Sequence, residues 1–566
     1  MALISPHPTR ERIARAAAAI AAGAALLLLT ACSGVAPTGT PTGQTGDGGP
    51  ASDAIKVSRL VFEAGTPGRT ELDLRFLAEP YVWPWRPVYD NLIAVDAKSG
   101  KLVPGLATAW KIEPDGESFR VTLRDAKFNG GYGPVRGEDV KFGWEQLVLV
   151  DSVHGQQPYF KNNVKSVEAP SEKEVIFHMK GPDGIFVTAI SDYQGGLEVR
   201  SKASYEKQGA PNWKNGPLAG SGPYAYKEGA DGQFLRLARA DNNHWSGTPD
   251  FAELEWRFAK EASTRMAALL TGEAHMADLP QDLMAQAEKQ NMKVIRGEFP
   301  GTRVWGSFRC CFVKEPLNLT SSGMMFPESP LADRRVRQAL NKAINRDEMN
   351  KAFFAGKGET MYLDHFHSTR LGWNADWEKR FKDLYGYDPA AAKKLLADAG
   401  QANLKTTMLV TPLPGVPGGE DLAEALAGYW RAIGVNIALE TVDVAQANTI
   451  ARSFGYSNQL KLEASGSNQW SGQTIWNSSV SHLGLGVENP KVDALLRQIA
   501  ATPDTAKQEE LWKQAGAEAY EDFMDVNLFW LPTEIVVNPK VVASWTYPGG
   551  ITGAWTHAVN IKAAAK

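Results

Sequence analysis

Segments with the periodicity of β-strands alternate with segments with the periodicity of α-helices over roughly residues 55 to 500. In LEWRFA, for example, Leu254, Trp256 and Phe258 face one way while Glu255 and Arg257 face the other, as in a half-buried strand. No internal repeat is visible. A chain that alternates in this way is expected to fold into several mixed α/β domains.

Other segments follow the same two patterns. Further strands are predicted at residues 55–62, 92–95, 119–123 and 435–440. Helices are predicted from residue 138 onward and at residues 266–270, 332–349, 387–400, 422–430 and 489–500.

The ends of several helices are also marked. Asp333 and Asp388 stand where N-cap residues are expected, and Pro389 occupies the first helical position after Asp388. Gly272 and Gly400 follow the last apolar turn of their helices, where glycine often ends a helix. These residues predict where two helices begin and where two end.

The length of the chain requires more than one core. It has 566 residues, whereas a single hydrophobic core stops growing at roughly 250–300 residues, so two or three domains are expected. A net charge of −4 without a basic cluster does not favour nucleic-acid binding. Three cysteines are too few for a disulfide scaffold.

The amino-terminal segment has the pattern of an export signal. Arg10, Arg12 and Arg15 precede an apolar stretch, residues 16–29. This stretch is too short to cross ~30 Å of hydrocarbon comfortably but fits the apolar part of a secretory signal. Because no twin arginine is present, we expect export by the Sec-type route.

The segment Leu29-Thr30-Ala31-Cys32 resembles the bacterial lipobox, whose cysteine is lipidated and becomes the first mature residue. Residues 33–53 are rich in Gly, Pro, Thr and Ser, as in a flexible linker. We therefore predict a signal peptide at 1–31, a lipid anchor at Cys32 and a tether at 32–53. The alternative is an ordinary signal peptide with an incidental cysteine.

Six segments, in this order, resemble the bacterial extracellular solute-binding proteins of family 5, which serve ABC importers and bind peptides, nickel or oligosaccharides. Each segment alone is a weak pattern, but together they cover most of residues 88–500. They are VYDNLIAVDAKSGKLVPGLATAWKIEPDGESFRVTLRDAKF (88–128), GEDVKFGWEQ (137–146), GSGPYAY (220–226), DRRVRQALNKAINRDEM (333–349), YDPAAAKKLLADAG (387–400) and NPKVDALL (489–496).

The resemblance implies an α/β, two-lobed, periplasmic-binding-protein-like fold (type II, cluster C) with an extra inserted subdomain. A ligand would be trapped between hinged lobes, and the closed monomer would dock on an ABC permease without a cofactor. The predicted division is lobe 1 at 54–91, 215–305 and 530–566, the inserted subdomain at 92–214, and lobe 2 at 306–529.

Seventeen tryptophans are present, and four of them, Trp110, Trp144, Trp256 and Trp430, lie on the inward faces of predicted elements. By resemblance, other aromatic and amide residues border the cleft. An aromatic ring can stack on a sugar or hold a peptide side chain, although each ring alone fits core packing equally well. The ligand-binding candidates are Trp83, Trp85, Trp305, Trp373, Asn468, Gln469, Trp470 and Trp476.

Peptide binders of the family hold the amino terminus of the ligand with an Asp in the second lobe. The corresponding stretch here, SGSNQWSGQTIWN (465–477), contains no Asp, and Glu463 is the nearest carboxylate. Burying an ammonium group without a counter-charge is costly. A peptide remains the preferred ligand because peptides are the commonest class in the family, and an oligosaccharide or another small solute is the alternative.

Cys310 and Cys311 are adjacent in the sequence. Their Cα atoms are expected about 3.8 Å apart, below the usual disulfide range of about 4.4–6.8 Å, although an oxidising compartment favours a bond. Two buried thiols on opposite faces of a strand are the preferred interpretation, and a vicinal disulfide is the alternative.

Motifs for catalysis are missing from the sequence. The chain has no G-x-S-x-G, H-E-x-x-H or G-x-x-x-x-G-K-[ST], so we predict no enzymatic activity and keep a secreted hydrolase as the alternative. His365 and His367 in DHFHSTR (364–370) are weak metal-ligand candidates because no third ligand can be identified. The other interpretation of this segment is a polar loop near the cleft.

Overall fold

The computed structural model describes residues 57–65, 71–76, 83–193, 197–311, 326–413, 416, 418–453, 458–466, 486–549 and 557–565. All of them belong to one unit of the chain, residues 52–566. Within these described ranges, no helix combines the length and the apolar character needed to span a membrane.

Strands occur along the whole described chain. In chain order they are β1 (Arg59–Ala64), β2 (Ile93–Val95), β3 (Leu102–Pro104), β4 (Ala107–Ile112), β5 (Ser118–Leu123), β6 (Val164–Ser171), β7 (Glu174–Met179), β8 (Tyr224–Ala230), β9 (Phe234–Arg239), β10 (Glu253–Phe258), β11 (Met276–Ala277), β12 (Lys293–Arg309), β13 (Glu359–Thr360), β14 (Lys405–Val410), β15 (Asn436–Thr441), β16 (Gln459–Gly466), β17 (Asp525–Val537), β18 (Val542–Trp545) and β19 (Ile561–Ala563).

Helices alternate with these strands. In chain order they are α1 (Gly137–Leu147), α2 (Gln157–Asn163), α3 (Phe186–Ala189), α4 (Lys202–Gln208), α5 (Ala262–Thr271), α6 (Gln281–Lys289), α7 (Arg334–Lys342), α8 (Arg346–Phe354), α9 (Asp376–Leu384), α10 (Pro389–Asp398), α11 (Gly419–Ala432), α12 (Val444–Ser453), α13 (Pro490–Ala500) and α14 (Thr505–Asp522).

Eleven strands form one mixed sheet in the order β15-β14-β16-β12-β17-β11-β1-β10-β9-β8, with β13 paired to β17. β1 pairs in parallel with β10 and β11, and β14 pairs in parallel with β15 and β16. The long antiparallel pair β12–β17 lies between these two parallel groups. A separate antiparallel sheet, in the order β4-β5-β7-β6, forms the inserted subdomain.

Separate hydrophobic cores distinguish two lobes and the subdomain. Phe62 and Trp256 belong to the core of lobe 1, and Phe177 belongs to the core of the subdomain. In lobe 2, Trp430 is part of the core on one face of the sheet, and Trp377 is part of the core on the other. From here on the lobes are named by these cores, so Trp305 and Trp530, which share the core of Trp377, are described with lobe 2. The residue boundaries of the parts stay a prediction.

β12 and β17 pass from one lobe to the other. Near one end, Ile295 pairs with Ile535 in the core of lobe 1. Towards the other end, Val304 pairs with Phe529 in a core of lobe 2. Between these pairs the register shifts on both sides of Pro300, and it shifts again after Val304. The ladder that joins the lobes is therefore irregular where the chain passes between them.

The helix ends predicted from the sequence are confirmed. A side-chain oxygen of Asp333 accepts a hydrogen bond from the Arg335 amide at 2.8 Å, as an N-cap does. Asp388 does the same for the Ala391 amide at 2.9 Å, immediately before α10. Gly272 follows α5 in the left-handed conformation with φ +81°.

The predicted strand at 55–62 overlaps β1, which runs from Arg59 to Ala64, and residues 55 and 56 lie outside the described residues. The pairing of β1 with β10 begins where Arg59 lies opposite Glu253. Trp256 and Trp430 are buried as predicted, and Trp110 and Trp144 pack against the subdomain core.

Candidate functional site

One face of β12 in lobe 2 carries buried polar and aromatic side chains. Val304 and Phe308 point into the core beside α7, so by alternation Arg303, Trp305 and Ser307 point to the opposite face. All three are buried. This face therefore holds a charged group and an aromatic ring away from water.

Arg303 is bound by the segment that follows β13 along the chain. Its Nη1 lies 2.8 Å from both carboxylate oxygens of Asp364, and 2.8 and 2.9 Å from the ring nitrogens of His365. Its guanidinium also lies 4.0 Å from the centroid of the Trp305 ring. Burial raises the pKa of Asp364, and the Arg303 charge opposes this shift. The network fixes residues 364–365 against β12.

Arg370 and Tyr193 belong to different parts of the fold but lie near each other. Arg370 stands 5.0 Å from the centroid of the Trp530 ring in lobe 2, and burial lowers its pKa to about 10. Partial desolvation raises the pKa of Tyr193 in the inserted subdomain, although this side chain is still 37% exposed, and the Arg370 charge opposes that rise. The two side chains therefore interact electrostatically between the subdomain and lobe 2.

The two candidate metal-ligand histidines already contact other side chains. His365 is fully buried against Arg303, and His367 lies 3.0 Å from Glu359 and 2.8 Å from Thr369. Within the part of the chain that the structure describes, no group of three or more His, Cys, Asp or Glu is arranged to hold a metal ion.

Glu463 lies on β16, directly opposite Trp305 of β12. Its carboxylate is 2.8 Å from Lys461 Nζ, and it also contacts the Arg309 guanidinium and the Ser307 hydroxyl. Burial disfavours its charge, but Lys461 and Arg309 together hold the pKa of Glu463 below its ordinary value. Two cations therefore already balance Glu463, the carboxylate nearest to the position where peptide binders of the family have an Asp for the amino terminus of the ligand.

The candidate tryptophans whose side chains the structure describes do not form one cluster. Trp85 is only 1% exposed and lies in the core of lobe 1, with its ring centroid 6.4 Å from that of Tyr89. Trp305 lies in the lobe 2 core beside α14, and the partly buried Trp373 packs against the same core, with the Trp373 and Trp377 ring centroids 5.6 Å apart. The structure therefore brings Trp305 and Trp373 into the same core and keeps Trp85 in another.

Several predicted residues lie outside the described residues and stay predictions. They are Cys32, Asn468, Gln469, Trp470, Trp476 and the side chain of Trp83.

Cys310 and Cys311 are joined by a disulfide bond, with their Cα atoms 3.8 Å apart, so the structure differs from the preferred interpretation of two thiols. In a strand, successive side chains point to opposite faces, which would keep the two sulfur atoms apart. β12 ends at Arg309, so this alternation does not extend to Cys310 and Cys311. Both cysteines are fully buried, and the Cys311 carbonyl accepts a hydrogen bond from the Glu488 amide.

A second buried polar cluster, in lobe 1 and the subdomain, was not apparent from the sequence. It contains Arg86, His154, Asp192, Glu198 and Arg200, all of which interact electrostatically with at least one other member. Arg86 Nη1 donates to the Asp192 carbonyl at 3.1 Å. No local pattern marks these residues, because their proximity arises only from folding.

His154 gives this cluster a measurable pH dependence. Burial, together with the charges of Arg200 and Arg86, lowers the pKa of His154 to about 4. An unfolded histidine takes up its proton near pH ~6.5, so the free energy of unfolding should fall by up to about 3 kcal/mol from pH ~6.5 to pH ~4. His154→Asn should remove this decrease, and urea unfolding at several pH values would measure it.

Asn is a suitable replacement because its side-chain oxygen can accept the Gln156 amide bond that His154 Nδ1 accepts at 3.2 Å. His178→Asn, at a partly exposed histidine, is the matched control and should leave the decrease in place. An unchanged pH slope in His154→Asn would contradict the assignment.

The described fold is a two-lobed, mixed α/β, periplasmic-binding-protein-like fold. The solved structure of HbpA2 from Haemophilus parasuis is similar, with a TM-score of 0.71 and 21% identity over 90% of this chain and 100% of that chain. A periplasmic binding protein, DppA, from Helicobacter pylori in complex with the peptide STSA has a TM-score of 0.68 and 20% identity over 90% of this chain and 98% of its own.

Sequence comparison identifies the family. The model of the bacterial extracellular solute-binding proteins, family 5 (middle region), matches residues 101–486. The dipeptide-binding protein of Escherichia coli K12 is 24% identical over 466 residues, which cover 76% of this chain and 81% of that protein. The chain belongs to family 5 of the bacterial extracellular solute-binding proteins, and these relatives are named as binding proteins rather than as enzymes.

Proposed function

We propose that this chain is the solute-binding component of an ABC importer and that it captures a peptide between its two lobes. The observation that carries the proposal is the course of β12 and β17, which connect the two cores through an irregular ladder around Pro300. Irregular pairing bends strands and interrupts their hydrogen bonds, so this stretch can serve as a hinge. A ligand that contacts both lobes then favours the closed state by its difference in affinity for the two states.

A peptide is the preferred ligand because of the relatives. The Escherichia coli relative is named for dipeptide binding, and the Helicobacter pylori structure holds the peptide STSA. In this chain, Trp305 and Trp373 of lobe 2, with the 468–476 stretch, are the proposed ligand contacts. Arg370, whose guanidinium lies 5.0 Å from the centroid of the Trp530 ring, would supply a positive charge in the same lobe.

An oligosaccharide is the second candidate, and the surroundings of Glu463 favour it. This carboxylate is already balanced by Lys461 and Arg309. A ligand ammonium group would have to compete with two protein cations for the same charge. A neutral, hydroxyl-rich ligand would avoid that competition.

The proposal includes a lipid anchor at Cys32 and export by the signal at 1–31. A tether of residues 32–53 would keep the binding protein close to its permease and raise its effective concentration there. Palmitate labelling of the full chain, compared with a Cys32→Ser variant, would test this part.

The test of the function combines two measurements on residues 33–566. Thermal unfolding is followed with di- to pentapeptides and, separately, with cello-, xylo- and malto-oligosaccharides. A ligand at a hundred times its Kd should stabilise the protein by about 2.7 kcal/mol. Small-angle scattering should show a smaller radius of gyration with the same ligand, and the ligand should be recovered chemically unchanged.

Stabilisation by peptides alone supports the preferred ligand, and stabilisation by oligosaccharides alone replaces it with the second candidate. A ligand that stabilises the protein without compaction would contradict closure about β12 and β17. Conversion of the ligand during incubation would instead favour the hydrolase alternative.

A further inference from the structure

Hydrogen bonds join the inserted subdomain to lobe 2 at the turn formed by residues 182–184. The Gly184 amide donates to the Ala500 carbonyl at 2.6 Å, and the Gly184 carbonyl accepts from Gln508 Nε2 at 2.9 Å. The same Gln508 amide donates to the Thr502 carbonyl at 2.6 Å. The contact therefore joins residues that are more than 300 positions apart in the sequence.

The Gly184 amide donates a hydrogen bond to a carbonyl at the end of α13 that has no partner within the helix. Ala500 is the last residue of α13, and the last four carbonyls of a helix lack an intrahelical partner. When the subdomain meets lobe 2, the amide of Gly184 supplies a donor to one of these carbonyls. When the two parts separate, water can replace it, so the bond can form and break without leaving a buried polar group unpaired.

The turn is held in shape by the subdomain alone. Asp183 Oδ1 accepts the amides of Ile185 at 2.8 Å and Phe186 at 3.1 Å, and its Oδ2 accepts the Tyr159 hydroxyl at 2.8 Å. Because Phe186 is also part of the subdomain core, the turn is anchored on its own side. Its conformation does not depend on lobe 2.

The opposing surface is likewise formed by lobe 2 alone. Ile499 and Trp512, from α13 and α14, are buried in the same lobe 2 core. Asp504 caps α14 by accepting the Lys507 amide at 2.8 Å. Gln508 bridges back to Thr502 within this lobe. The two halves of the contact are therefore preformed.

Only glycine fits at position 184 when the contact is made. An added Cβ would lie 2.3 Å from the Thr502 carbonyl oxygen, 2.4 Å from Gln508 Nε2 and 2.7 Å from the Ile499 carbonyl oxygen. The φ of Gly184 is not in the left-handed region, so the turn itself does not require glycine. The steric requirement comes only from lobe 2, and a larger residue would act against the contact without straining the turn.

We propose that the Gly184 turn is a latch that holds the inserted subdomain against α13 and α14 and thereby stabilises the closed arrangement of the lobes. This inference rests on the proposed function for its meaning, because a closed state matters only if the lobes open. Loss of the latch would shift the equilibrium towards the open state and speed ligand release. Gly184 and Gln508 would then act as positioning residues, at a distance from any ligand.

The experiment measures the distance between the subdomain and lobe 2 without requiring a known ligand. Spin labels at Lys161→Cys and Lys507→Cys, two exposed positions, report this distance in residues 33–566 by pulsed electron paramagnetic resonance. The unsubstituted protein should show a population at the short distance. Gly184→Val should reduce the ratio of the short-distance to the long-distance population about tenfold, as expected for two lost hydrogen bonds of ordinary net strength.

Gly181→Val is the matched control, because an added Cβ at Gly181, three residues before Gly184, meets nothing within 4 Å. It should keep the short-distance population. Gln508→Ala, on the opposite side of the contact, removes one donor and should shift the population in the same direction as Gly184→Val but less. Because Gln508→Ala leaves the sequence of the turn unchanged, a shift in this variant cannot result from misfolding of the turn by Val.

Equal short-distance populations in the unsubstituted protein, Gly184→Val and Gln508→Ala would overturn the latch. An equal loss in Gly181→Val would also overturn it, since the effect would then not depend on the contact. Repeating the measurement with penta-alanine separates the two proposals. If penta-alanine and the oligosaccharides leave the distances and the melting temperature unchanged, the proposed capture of these ligands between the lobes is contradicted. The comparison of the variants without ligand still tests the latch.

Discussion

Asp364→Leu should lower the free energy of unfolding by about 3–5 kcal/mol, because it leaves the Arg303 charge buried without its partner. Arg303 and Asp364 are both inaccessible to water, and one guanidinium nitrogen contacts both carboxylate oxygens. Guanidinium chloride unfolding, followed by tryptophan fluorescence, would measure the loss.

Two controls separate the buried charge from general effects of substitution. The double variant Arg303→Met, Asp364→Leu removes both charges and should regain much of the lost stability. Asp398→Ala breaks the exposed pair with Lys394 and should have little effect. A midpoint for Asp364→Leu equal to that of the unsubstituted protein would mean that the pair is not buried as described.

Trp85→Ala should also cost about 3–5 kcal/mol, because it removes a large side chain from a closed core and leaves a cavity. Trp85 packs with Tyr89 and Tyr226 in the core of lobe 1, where its exposed fraction is 1%. The loss should appear in unfolding experiments without any ligand.

Trp213→Ala is the comparison for this prediction, since Trp213 is 38% exposed and should tolerate the change. The result also bears on the candidate binding site. If Trp85→Ala kept full stability but lost ligand binding, Trp85 would be a ligand contact instead of a core residue. A loss of stability of the expected size would assign the side chain to packing.

Much of the fold could be predicted from local patterns. The caps at Asp333 and Asp388 depend on atoms within three residues of each cap, so the sequence alone contains the whole interaction. The strand that contains Trp256 is likewise marked by its own alternation. The ordered segments also identified the family that sequence comparison confirms.

The candidate site could be predicted only in part. Arg303 and Asp364 are separated by 61 positions, and neither stands in a motif that indicates its partner. The tryptophans illustrate the same limit, because their residue type fits a buried core and an open cleft equally. Exposure depends on which elements pack against them, and the sequence pattern around Trp85 does not specify those elements.

By itself, the sequence determined the local elements, their caps and the order of segments that marks the family. These features depend on interactions between near neighbours and on periodicity along one element. Tertiary structure alone decided that Cys310 and Cys311 follow the end of β12, that Glu463 faces two cations, and that Gly184 meets α13 and α14. The contacts of Glu463 with Arg309 and of Gly184 with α13 and α14 join residues that are far apart in the sequence, and their energies depend on how whole lobes pack and not on any local pattern.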